Sequence, residues 1–256
     1  MSSYREVRSL DNPLVREIRA LQRHPTAYRT VGRIWLEGEH VVQAWRDRFS
    51  DTTIAVVIEE RAQDTQLREF LGSVGQVVVV PRALFFRFSD MQSPSGLGLL
   101  LEVPLGRKID FDRPSVILDR LQDTGNVGSI IRSAAAFGYT QLIALRDTAA
   151  LWSPKCLRAA AGAHANLNLI EEQDPEDLRK LRWPLLSTSS HAGASLDTWE
   201  RGKPANWVFS HEGQGVSEVL RDLSHHQIRI EHTAGQESLN VAAAAAICLY
   251  ASRLLP

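Results

Sequence analysis

Cysteine is scarce in this chain: the 256 residues hold two, Cys156 and Cys248, far apart and in no paired motif. A disulfide framework and a zinc site therefore lack sequence support, no metal is expected, and a reducing cytoplasm is the expected compartment. No apolar run reaches the roughly 18 residues that mark a membrane-crossing helix. The N-terminus also lacks a signal-peptide core, so neither membrane insertion nor secretion is expected. Excess charge is absent as well: 29 Lys and Arg stand against 30 Asp and Glu, a net charge of −1. That balance argues against a surface uniformly suited to nucleic acid, while leaving local patches open. There is no internal repeat, and no G-x-G-x-x-G follows a strand-like run, so a nucleotide-binding oxidoreductase is poorly served. What is present is a 44% apolar chain, ample for globular cores and long enough for one large or two ordinary domains.

Residues 122–138, Gln-Asp-Thr-Gly-Asn-Val-Gly-Ser-Ile-Ile-Arg-Ser-Ala-Ala-Ala-Phe-Gly, are the expected working centre. They follow an apolar run at 115–118 that reads as a buried strand, and lead through a small-residue turn into an Ala-rich helix ended by Gly138. A loop at the carboxyl end of a parallel strand is where open α/β sheets build ligand sites. Gly125 and Gly128 permit tight backbone there, and Asn126 and Arg132 can face one pocket. Taken alone, the same residues also read as an ordinary turn followed by a surface arginine.

The first 33 residues carry seven arginines, Arg5, Arg8, Arg16, Arg19, Arg23, Arg29 and Arg33, against three acids. Asn12-Pro13 reads as an N-cap and first helical position. Leu14, Ile18 and Leu21 then fall on one helical face and Arg16, Arg19 and Arg23 on another. The stripe is either a phosphate-holding face, to which Arg33 adds, or an ordinary solvated one. A strand and turn at 32–38, a helix from 39 to about 49, strands at 54–58, 76–80 and 97–103, and a helix-compatible stretch at 65–71 make a small α/β unit. Phe85, Phe86 and Phe88 are read as core rather than base-stacking residues.

Residues 104–114 are polar and contain two prolines, so the chain divides into a domain at 1–106, a linker at 107–113 and a domain at 114–256. The second domain alternates strands at 141–145, 167–170, 185–188 and 207–210 with helices at 154–161 and 174–181, the rhythm of a parallel sheet. The loop His211-Glu212-Gly213-Gln214-Gly215 places a carboxylate beside two glycines, which suits either a ligand site or an exposed turn. Ser238-Leu239-Asn240 opens a helix at 241–254, whose free N–H groups either bind a polar ligand or are capped by Ser238.

Together these motifs resemble the TrmH/SpoU branch of the SPOUT RNA methyltransferases. The likeness rests on Asn126-x-Gly128-x-x-x-Arg132 with Phe137-Gly138, on Glu212-Gly213-x-Gly215, and on Ile228-x-Ile230 with Ser238-Leu239-Asn240-Val241. Arg158 to Ala163 resembles the family's Arg-x-x-x-Gly-Ala stretch, and Ser9-x-x-Asn12-Pro13 with Leu36-Glu37-Gly38 resembles its RNA-binding domain. The resemblance implies a C-terminal α/β domain with a mostly parallel sheet and a trefoil knot, preceded by a smaller α/β RNA-binding domain. It also implies a homodimer packed through the C-terminal domain. The implied activity is methyl transfer from S-adenosylmethionine to a ribose 2′-hydroxyl of RNA, with rRNA preferred over tRNA. Carried over as catalytic or substrate positions are Asn126, Arg132, Glu212, Ser238 and Asn240. Carried over for the cofactor are Ser210, Ile230 and Leu239, with Gly213 and Thr188 beside them.

Two departures stand next to the implied cofactor pocket: Ser210-His211 before the second-motif Glu212, and Glu231-His232 after the third-motif Ile230. They keep open an RNA-binding paralogue without catalysis.

Overall fold

The computed structural model describes residues 3–189, 192–200, 202–211, 213–231, 233 and 239–254. It separates into two compact units: Met1–Leu105 with Trp152–Ala165, and Gly106–Leu151 with Asn166–Pro256.

The first unit is built on a five-stranded sheet of β1 (Ser3–Glu6), β2 (Arg33–Glu37), β3 (Ile54–Ile58), β4 (Gln76–Val80) and β5 (Leu97–Glu102), in the order β1-β4-β3-β5-β2. β1, β4 and β3 run parallel, and β5 is antiparallel to both of its neighbours. Runs of β-branched side chains give β3 and β4 their strand character. β1 was not anticipated, because Ser-Tyr-Arg-Glu has no apolar run and gains its place only by pairing with β4.

The helix Pro13–Arg23 starts as its sequence dictates: the Asn12 side chain accepts from the Leu14 N–H at 3.0 Å, and Pro13 occupies the first turn. Its buried face is Val15, Ile18 and Leu21, so Val15 takes the place expected of Leu14. Residues 39–49 form a short helix, Glu39–Ala44, and a 3-10 turn, Arg46–Arg48, rather than one helix. The aromatic stretch is the helix Arg82–Phe88. Phe85 and Phe88 are buried against Trp35, with ring centroids 6.3 and 6.0 Å away, while Phe86 is exposed beneath the Arg82 guanidinium. Glu37 accepts hydrogen bonds from Ser89 Oγ at 2.5 Å and Trp35 Nε1 at 3.4 Å. Burial pushes its carboxyl above the usual carboxylate value. Arg158, on the helix Pro154–Ala159, pairs with Asp90 at 3.8 Å within this unit.

The second unit is a seven-stranded, all-parallel sheet. Its strands are β6 (Val116–Asp119), β7 (Gln141–Leu145), β8 (Asn168–Gln173), β9 (Leu185–Ser189), β10 (Ala194–Ser195), β11 (Asn206–Ser210) and β12 (His226–Arg229), in the order β10-β12-β9-β11-β6-β7-β8. Every residue of β6, β7 and β11 is buried, the pattern of a parallel sheet covered on both faces. Ile117, Ile143, Ile170, Leu185, Val208 and Leu220 form one apolar cluster on it. The segment expected as a helix at 174–181 is a 3-10 turn, Pro175–Lys180. The two-residue β10 and the helix Glu218–Leu223 were not anticipated.

The helix Thr124–Ala136 packs against the last helix, Val241–Ala251, where the Phe137 and Tyr250 rings meet edge to face at 5.7 Å. The last helix ends before residue 254 because the chain turns there, and the Leu254 N–H donates to Phe137 O at 2.9 Å. Gly138 sits at φ +84°, and a Cβ on it would lie 2.6 Å from the Leu254 carbonyl oxygen, so glycine is required on both counts. Cys156 and Cys248 are buried thiols without a disulfide, and burial pushes Cys248 up to about 12. Among the described residues, no helix is long and apolar enough to cross a membrane.

Candidate functional site

The neighbours β12, β9, β11 and β6 are mutually parallel, so the loops leaving their carboxyl ends start from one edge of the sheet. After β6 the chain enters its helix sooner than expected. The Asp123 side chain caps it, accepting from the Asn126 N–H at 2.7 Å. Gly125, Asn126 and Gly128 therefore lie within the first helical turns and not in a loop, and neither glycine has positive φ.

Asn240 is the N-cap of the last helix. Its Oδ1 accepts from the N–H groups of Ala242 at 2.9 Å and Ala243 at 3.3 Å, so Asn240 fills the capping role that was one of the two alternatives for this helix start. Those two donors fix the orientation of the amide, so Nδ2 is the group left to donate. It donates to Asn126 Oδ1 at 3.1 Å. A first-motif residue and a third-motif residue, far apart in the chain, are thus joined by one hydrogen bond.

Arg132 is on the same helix as Asn126. At about 100° per residue, six residues place its side chain roughly 120° around the axis from Asn126. It is exposed, and among the described residues it has no hydrogen bond or ion pair, whereas Asn126 and Asn240 are joined directly.

Of the residues expected to hold a cofactor, Ser210 is the buried last residue of β11. Thr188, on β9, donates its hydroxyl to Val208 O at 3.1 Å. Ile230 is half-buried just beyond β12, and Leu239 exposes 38% of its surface beside the Asn240 cap. Gly213 donates its N–H to His211 Nδ1 at 3.0 Å, and Gln214 does the same at 3.3 Å. With Nδ1 accepting, a neutral His211 carries its proton on Nε2. Glu212 and Ser238 lie outside the described residues, as does His232. Glu231, the other departure, is paired with Arg229 at 2.7 Å. No cluster of three or more metal-ligating side chains occurs among the described residues.

Asp119 and Arg120 stand at the same edge of the sheet and belong to none of the three motifs. Asp119, at the end of β6, is 2% exposed, and its carboxylate accepts from Arg120 Nε at 2.9 Å, Arg120 Nη2 at 3.3 Å and the Ser217 N–H at 2.8 Å. The hydrogen bond to Asp119 holds the Arg120 guanidinium above its usual value. An acid followed by an arginine directly after the apolar run 116–118 was the available signal.

In the first unit, Arg16 and Arg23 are exposed and Arg19 is half-buried; none has a hydrogen bond or ion pair among the described residues. Arg33 differs. Its Nη2 donates to Glu17 Oε2 at 2.8 Å, with both side chains less than one-third exposed, so its charge is already matched.

The SpoU rRNA Methylase family matches residues 113–250. A Synechocystis protein described as an uncharacterized tRNA/rRNA methyltransferase is 30% identical over 98% of this chain and 94% of its own. The 23S rRNA (guanosine(2553)-2′-O)-methyltransferase of Bacillus subtilis is 26% identical over 96% of this chain and 98% of its own. The crystal structure of an AdoMet-bound rRNA methyltransferase from Sinorhizobium meliloti has the same fold, with a TM-score of 0.83 at 24% identity over 98% of this chain and 97% of that one. The chain belongs to the SpoU rRNA methylase family.

Proposed function

We propose that the chain methylates the ribose 2′-hydroxyl of RNA, with rRNA as the substrate and S-adenosylmethionine as the methyl donor. The observation that carries this reading is the Asn240–Asn126 hydrogen bond, which joins two family motifs at the sheet edge where the β9, β11 and β12 loops begin. The substrate class follows the family and its Bacillus relative, which acts on a guanosine 2′-O of 23S rRNA. A 2′-hydroxyl target restricts the substrate to RNA.

The residues at this edge suit a nucleoside cofactor. Leu239 offers exposed apolar surface for a purine ring, Gly213 adds no side chain, and the strand-end backbones at Ser210 and Ile230 offer polar groups. Thr188 supports the wall from within, its hydroxyl held by β11. S-adenosylmethionine supplies a methyl group already activated by a positively charged sulfur, so this chain's residues have mainly to position the acceptor. Asn126 and Asn240 orient the ribose. By family resemblance, the Arg132 guanidinium stabilises the charge developing on the 2′-oxygen as its proton leaves for water, in place of abstracting that proton itself. Glu212 and Ser238 complete the polar set by family resemblance.

The same reading places a trefoil knot in the C-terminal domain, a homodimer packed on its last helix, and a cytoplasmic site of action. Support for the dimer comes from the exposed apolar face of Ala243, Ile247 and Tyr250 on the Val241–Ala251 helix, 41% exposed at Ile247 and 53% at Tyr250. The smaller N-terminal domain binds RNA, with Arg16, Arg19 and Arg23 as phosphate contacts. An inactive RNA-binding paralogue is less well supported, because Arg229 pairs with Glu231 and His211 closes its own loop. Calorimetry with S-adenosylmethionine, combined with mapping of 2′-O-methyl sites in total RNA with and without the gene, tests the assignment. Binding and a lost rRNA site support it; no binding at millimolar cofactor refutes the enzyme, and a lost tRNA site alone refutes the substrate.

A further inference from the structure

We infer that Arg120 is the positioning residue of loop 211–217, the loop that carries Glu212, and that it works as a fork anchored on Asp119. Its guanidinium faces two ways. Nε and Nη2 donate to the buried Asp119 carboxylate at 2.9 and 3.3 Å, while Nη1 donates to Gln214 Oε1 at 3.0 Å and Nη2 also reaches Gly215 O at 3.2 Å. Asp119 takes hold of the same loop directly: its carboxylate accepts from the Ser217 N–H at 2.8 Å and its backbone oxygen from the His211 N–H at 3.2 Å. The loop is therefore fastened at residues 211, 214, 215 and 217 to two consecutive residues.

The backbone of Arg120 is set for this task. Its φ is +57°, in the left-handed region that non-glycine residues avoid, and it is held there by its N–H to Thr148 Oγ1 at 3.2 Å. Thr148 in turn donates to Leu118 O at 3.1 Å, tying the turn to β6. The loop needs such a fastening because it contains Gly213 and Gly215, which in a free chain sample far more backbone states than other residues. His211 organises the loop from inside by accepting the Gly213 and Gln214 N–H groups, and Arg120 anchors it from outside. A lysine would not replace this fork, since one ammonium cannot span carboxylate, amide and carbonyl in a fixed plane.

The inference rests on the proposed methyltransferase reading only for its consequence, namely that a loosened loop weakens cofactor and substrate positioning. The test compares Arg120→Gly, Arg120→Ala and Gln214→Ala in the full-length protein by three readouts: hydrogen exchange of segment 211–217 without ligand, thermal melting, and single-turnover methyl transfer. Glycine adopts the strained φ freely, so Arg120→Gly should melt higher than Arg120→Ala. Both should nevertheless exchange segment 211–217 faster and lose about tenfold or more in rate, the scale of one to two lost hydrogen bonds. Gln214→Ala should show a smaller change in the same direction. A glycine variant that regains parental exchange and rate along with its stability would reduce Arg120 to a structural residue and overturn the proposal. If the parent protein transfers no methyl group, the methyltransferase reading fails, and the exchange measurement still decides the clamp.

Discussion

Replacing Asn240 by alanine or by aspartate separates the two jobs of that side chain. Alanine removes both the helix cap and the hydrogen bond to Asn126. Losing an N-cap costs about 1 kcal/mol, and losing a partly exposed hydrogen bond about 0.5–1 kcal/mol more. At roughly 2–4 °C per kcal/mol for a chain of this size, Asn240→Ala should lower the melting temperature by about 3–8 °C. Aspartate is as good an N-cap as asparagine, and its charge is favoured at a helix N-terminus. It cannot donate, so the present 3.1 Å donation to Asn126 Oδ1 is lost. Asn240→Asp should therefore melt within a degree or two of the parent, yet lose on the order of a hundredfold in methyl transfer, the scale of a small misplacement in a positioned site. Differential scanning fluorimetry and single-turnover methylation measure the two quantities. Equal melting losses for both variants would refute the capping role, and parental turnover in the aspartate variant would refute the role of the bridge.

Changing Arg16, Arg19 and Arg23 together to alanine should weaken RNA binding and reduce its log–log salt slope by up to roughly three, since each neutralised phosphate contributes about 0.7 to 0.9; filter binding across a salt series tests this, and a parental slope would refute the basic face. Because burial raises the Glu37 carboxyl above its reference value of 4.5, its favourable protonated contribution is present below that value and is lost as pH rises through the raised folded value. Glu37→Gln lacks this loss, so its urea midpoint should gain on the parent's between pH 4.5 and neutrality, and a constant difference would contradict the burial argument. Tyr250→Glu puts a charge on the exposed apolar face of the last helix and should convert a dimer into a monomer by light scattering; an unchanged mass would locate any interface elsewhere.

Much of the fold was legible because apolar runs survive averaging: β3, β4, β7 and β11 each announce themselves in four or five residues. β1 was not, since its polar residues become a strand only against β4. Leu14 and Val15 are adjacent, and period alone could not decide which one the helix would bury. In the site, the identities of Asn126 and Asn240 were legible, but their contact was not, because 114 residues separate them. Two glycines suggested a loop where Asp123 in fact starts the helix early. Arg33 counted as a free cation until the fold brought Glu17 to it, and the reach of Arg120 to Gln214 and Gly215 is likewise a long-range contact that no local pattern encodes.

The most direct test of the central claim is single-turnover transfer of a labelled methyl group from S-adenosylmethionine to rRNA by the parent and by Arg132→Ala, with RNA and cofactor affinities measured alongside. The parent should label a ribose 2′-oxygen. The variant should bind both partners within a small factor and lose about a hundredfold or more in rate, since one electrostatic contact to a developing oxyanion contributes about 2.7–4 kcal/mol. No transfer by the parent, or near-parental turnover by the variant, would contradict the account.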